Sequence, residues 1–80
     1  MTEAGDWSTL LLDDPVTLQD YVVRVLEQRL GLRREQAIEL MHRVEREGAA
    51  PVAHGPREEQ EMLAAGLHAD GLLATLQRRP

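Results

Sequence analysis

The sequence holds no cysteine, lysine, asparagine or phenylalanine, a single serine, and only Trp7 and Tyr21 among the large aromatics. Each scarcity removes a class of function. Without cysteine there is no disulfide, no thiolate metal site and no thiol nucleophile. Two aromatics make no platform for stacking bases. A formal net charge of −5 argues further against nucleic acid as a partner. Ser8 sits in no glycine elbow, which argues against a serine hydrolase. No glycine-rich phosphate loop is present. No apolar run is long enough to span a bilayer. The small, acidic start, Met1 to Asp6, is not a signal peptide. A soluble, cytoplasmic chain is the expectation, with no nucleic acid or membrane as partner. The basic residues are all arginine, which reads as coding bias rather than chemistry.

What remains is 80 residues, 42% apolar and 29% charged, the composition of an ordinary globular domain. A chain of this length buries only about 60% of its unfolded surface. It holds one modest core, with little room for a deep active site. Residues 1–6 are expected to be a flexible tail, 7–77 a single domain and 78–80 a C-terminal tail.

The apolar run Trp7–Leu12 reads as a strand. It stops at Asp13-Asp14-Pro15, a sharp corner, because proline lacks a backbone donor and restricts the residue before it. Thr17 then suits an N-cap, with Asp20 at the capping-box position. Leu18, Tyr21, Val22, Val25, Leu26 and Leu30 recur at helical spacing, and Gly31 can close a helix over 18–30. A second helix opens at Arg33–Gln36, carries Ala37, Leu40, Met41 and Val44 on its apolar stripe, and stops at Gly48. Residues 49–53 read as a weak strand that Pro51 confines to an edge or makes irregular. His54-Gly55-Pro56 reads as a turn, with Pro56 at the first position of a third helix over 56–68 through Met62, Leu63 and Leu67. Asp70-Gly71 is a turn, and 72–77 a last strand. The order β-α-α-β-α-β implies an α+β layer sandwich.

Chemistry-bearing groups are few. Glu39 and His42 stand at i, i+3, a di-iron spacing, but in a single copy. His54 and His68 match no ligand spacing. Asp13, Asp14 and Glu45 form no acid/base site with a visible pocket. No metal, cofactor or enzyme activity is expected.

The run from Trp7 through Asp13-Asp14-Pro15-Val16-Thr17 to Tyr21-Val22-x-x-Val25-Leu26 resembles the start of the ClpS core. There a strand leads into Asn-Asp-Asp-x-Thr and a helix. The likeness continues through Arg34–Ala37, Met41-x-x-Val44, Arg46-Glu47-Gly48 and the acidic third helix to Leu72–Leu76. The resemblance implies a monomeric adaptor with a small three-stranded antiparallel sheet packed against three helices. It implies binding to substrate proteins whose first residue is large and hydrophobic, and delivery to a Clp AAA+ unfoldase of ClpA or ClpC type. By the resemblance, Asp13, Asp14, Thr17 and Glu45 form the rim that holds the free α-amine. Gln19, Val22, Met41, Val44 and Leu72 line the side-chain pocket, and Glu58 and Glu61 belong to a docking surface. By spacing alone Val22, Met41 and Val44 are plain core positions.

The departures from the family are chemical. Asp13 stands for an asparagine, Pro15 for an aspartate, Glu45 for a histidine and Gln19 for an apolar gatekeeper. Leu63 falls where the docking surface has a lysine, and only six residues precede Trp7. The rim exchanges give carboxylates. Three carboxylates around one point should repel, favour protonation of one when the site is empty, and attract a cation. Two functions follow from these residues: a protease adaptor, or a ClpS-fold binding module that no longer serves proteolysis, presenting a substrate to another enzyme or inhibiting delivery.

Overall fold

The computed structural model describes residues 7–79. Its elements are β1 (Trp7–Leu12), α1 (Gln19–Leu30), α2 (Arg34–Glu47), β2 (Ala49–Gly55), α3 (Arg57–Ala69) and β3 (Ala74–Arg78). The order and the α+β class are those expected. The expected tail of residues 1–6, and Pro80, lie outside the described residues.

The sheet is antiparallel in the order β2-β1-β3, so the first strand is the central one. Pro51 lies on an edge strand, as its missing N–H requires. The pairing steps from Thr9↔Ala53 to Leu10↔Pro51, skipping Val52. β2 runs two residues past its expected end. His54 and Gly55 pair with Ser8 and Trp7 instead of turning. Pro56 stands at the N-cap of α3, one place before the expected position. β3 begins at Ala74, because Leu72 still belongs to the exit from α3, where its N–H donates to the Leu67 carbonyl at 2.9 Å.

Both glycine stops are realised. Gly31 and Gly48 adopt left-handed backbone (φ 67° and 84°), and their N–H groups close the last turns onto Glu27 and Val44. At the start of α2, Gln36 Oε1 accepts the Arg33 N–H at 3.0 Å.

α3 packs against all three strands, α2 against β2, and α1 bridges α2 and α3. The core holds Leu11, Val23, Val25, Leu26, Ala37, Met41, Val44, Ala50, Ala64, Leu67, Leu72 and Ala74. Several residues depart from the expected stripes, among them Tyr21, which is 40% exposed. Val23 is buried because α1 is covered from two sides. Leu18 is 76% exposed, since it stands at the corner before the helix. Met62 is also 76% exposed. The buried face of α3 is Gln60, Ala64 and Leu67, at i, i+4 and i+7, and Met62 falls off that face.

Two polar ties hold the layers. The buried Thr9 hydroxyl donates to Gln60 Oε1 at 2.7 Å, joining β1 to α3. Arg29 of α1 bonds both oxygens of Asp70 (2.7 and 3.2 Å), and the Tyr21 hydroxyl donates to the Asp70 carbonyl at 2.6 Å. Gly66 makes room for this crossing. A Cβ there would lie 2.7 Å from Arg29 Nη1.

Candidate functional site

The corner after β1 is pinned on both sides. The Leu12 N–H donates to the Leu73 carbonyl (3.0 Å) and the Asp13 N–H to the Gly48 carbonyl (2.9 Å). The chain then turns over residues 14–17, where the Thr17 N–H reaches the Asp14 carbonyl at 3.2 Å. The Asp14 side chain organises this turn. Its Oδ1 accepts the Val16 N–H (3.0 Å) and its Oδ2 the Thr17 hydroxyl (2.7 Å).

This corrects the expected role of Thr17 as a helix cap. Leu18 occupies the N-cap, with no side-chain cap, and the Thr17 hydroxyl is spent on Asp14. It also corrects the expected protonation at the rim as far as Asp14 is concerned. The Thr17 hydroxyl, and after it the Val16 N–H, hold the Asp14 carboxyl below the usual aspartate range. Hydrogen bonds to the ionised form outweigh what little desolvation there is.

Across from the corner, α2 presents Met41, Val44 and Glu45. Met41 and Val44 are buried, and Glu45 is at the surface. Gln19, the first residue of α1, donates its Nε2 to Glu45 Oε2 at 2.6 Å. The cleft between is lined by Asp13, Asp14, Thr17, Gln19, Val22, Met41, Val44, Glu45 and Leu72, together with Leu11, Leu12 and Leu73. Every residue assigned from the sequence to the rim or the pocket therefore lies on this one cleft. Carboxylates and the Thr17 hydroxyl sit at its edge, and aliphatic and thioether groups form its wall. Sequence reasoning missed Leu11, Leu12 and Leu73. Leu73 is brought in by its carbonyl bond to Leu12, a long-range pairing that leaves no local signal.

Glu58 and Glu61 are not in the cleft. They lie exposed on α3, and Glu61 pairs with Arg57 (2.9 Å), whose guanidinium stacks over the Trp7 ring at 4.8 Å. Leu63 packs against the core, so that position offers no cation. Glu39 and His42 are both exposed. Among the described residues no three acid or imidazole groups converge closely enough to hold a metal ion.

A small α+β domain whose central strand ends in a carboxylate-rimmed, apolar-walled cleft is the class of protein defined here. The chain belongs to the ClpS family. Residues 2–75 match the family model described as "ATP-dependent Clp protease adaptor protein ClpS". The ATP-dependent Clp protease adapter protein ClpS of Nocardia farcinica is 44% identical over 78 residues, covering 95% of this chain and 74% of that one. Its counterpart in Mycobacterium marinum is 43% identical over 75 residues, covering 94% and 74%. The fold is shared with Agrobacterium tumefaciens ClpS2, solved bound to L-phenylalaninamide. The TM-score is 0.90 at 22% identity, covering 94% of this chain and 98% of that one.

Proposed function

We propose that this chain is a Clp protease adaptor that binds the N-terminal residue of substrate proteins in the cleft behind the Asp13-Asp14 corner. The observation that carries the reading is the cleft itself. An amino-terminal residue is a cation and a side chain joined at one carbon. The cleft offers that pair its complement, with Asp13, Asp14, Thr17 and Glu45 at the edge and Val22, Met41, Val44 and Leu72 on the wall. Charge-assisted hydrogen bonds hold the ammonium, and apolar area holds the side chain. L-phenylalaninamide, the ligand of the Agrobacterium protein, unites a free α-amine and an apolar side chain in the same way.

The receiving machine is a Clp AAA+ unfoldase of ClpA or ClpC type, in the cytoplasm, and the adaptor acts as a monomer. It docks through the exposed face of α3, where Glu58 and Glu61 flank the exposed Met62. A second reading, binding without delivery, is favoured by one observation. Leu63 is turned to the core where the family's docking surface has a lysine.

Delivery separates the two. A reporter protein beginning with a free leucine is incubated with a Clp unfoldase, its peptidase and this protein. Degradation that depends on this protein, and is lost when the reporter is N-acetylated, supports the adaptor. Reporter binding without faster degradation supports the second reading.

A further inference from the structure

We infer that the hydrogen bond between Gln19 and Glu45 is a latch on the cleft, which the ligand's ammonium must release. This rests on amine binding at the cleft. The Gln19 amide and the Glu45 carboxylate come from different helices and meet at 2.6 Å across the cleft mouth. Both residues are exposed, so an arriving ligand reaches the bond directly. The free space within the cleft is small, about 30 Å³. A cavity of about 150 Å³ is what accommodates a benzene ring. With the latch closed, the cleft does not hold a large first side chain.

The competition at Glu45 decides entry. Asp14 already receives the Val16 N–H and the Thr17 hydroxyl, one on each oxygen. Glu45 receives a neutral amide from an exposed side chain, which is the more readily displaced. A neutral donor offered in its place only breaks even. An ammonium does better, because charge-assisted bonds are about twice as strong as neutral ones. Binding of the cation at Glu45 therefore frees Gln19 to swing out, and the pocket opens to the side chain. Amine recognition and side-chain admission become one coupled event.

The test is a double-mutant cycle on peptide affinity, with Gln19→Met, Glu45→Ala and the double variant. Methionine keeps the length of glutamine without its donor. The probes are a peptide beginning with leucine and its N-acetylated copy. With the latch in place, Gln19→Met tightens free-amine binding by about two- to tenfold, the worth of one modest hydrogen bond. That gain disappears in the Glu45→Ala background, which has no acceptor for the amide. A gain of equal size in both backgrounds, or no gain in either, overturns the latch while leaving amine recognition standing. Wild-type protein that binds both probes alike overturns amine recognition and the latch with it. The Gln19 side-chain amide signals in NMR give a second readout. They shift on adding free-amine peptide and stay in place with the acetylated one. Signals that never move while the peptide binds also overturn the latch.

Discussion

Thr17 acts through Asp14. Its hydroxyl bonds Asp14 Oδ2 at 2.7 Å and is the chief reason the carboxyl stays ionised below its usual range. Thr17→Val keeps the side-chain shape and removes the donor, so the Asp14 pKa rises. A carboxylate holds the ligand's cation only while ionised. Affinity for a free-amine peptide, measured by calorimetry from pH 7 to pH 3.5, should therefore fall on acidification in both proteins, and should begin to fall at a higher pH in Thr17→Val. Superimposable profiles would remove Asp14 from the ammonium contacts. At this scale much of the site was legible. An apolar run ending in Asp-Asp-Pro makes a charged corner whatever surrounds it. The partner of Thr17 was not legible, because a threonine three residues beyond an aspartate serves equally as a helix cap or as an aspartate's donor. The choice depends on where α1 begins.

At the scale of elements, periodicity placed all three helices within a residue or two, and glycine placed two of their ends. It failed where burial is decided by what lies on the far side. Val23 is covered because α1 has a helix on each flank, and Met62 is bare because α3 has a single buried face. The extra residues of β2 were hidden because His-Gly-Pro reads locally as a turn, while pairing with β1 keeps the first two of them in the strand. The polar tie between β1 and α3 gives a sharp expectation. Thr9 is fully buried, and its hydroxyl is the donor to Gln60 Oε1. Thr9→Val leaves that buried oxygen without its partner and should cost about 1–3 kcal/mol. A urea titration reads this as a lower midpoint at an unchanged slope. Tyr21→Phe removes an exposed bond at the α1–α3 contact and should cost less, about 0.5–1 kcal/mol.

For the molecule as a whole, Asp14 and Asp70 both have their carboxyls held below the ordinary range, Asp14 first by Thr17 and Asp70 first by Arg29. A folded pKa below the unfolded one contributes stability that is complete above the unfolded value, about 4 for aspartate, and is lost as pH falls through the folded one. The urea midpoint should therefore stay level from pH 7 to about pH 5.5 and drop below about pH 4. A midpoint that rises on acidification would contradict both assignments. The family of the chain was legible because the matches to it are collinear along one small domain. Its ligand was less so, because an exchange such as glutamine for an apolar gatekeeper acquires meaning only when Glu45 is found 2.6 Å away.

The central claim is that the cleft reads a free amino terminus. The affinities of a leucine-initiated peptide and its N-acetylated copy for the wild-type protein at pH 7 test it most directly. Losing a charge-assisted contact should cost about 10- to 100-fold in affinity, with the free peptide the tighter binder. Equal affinities would contradict it.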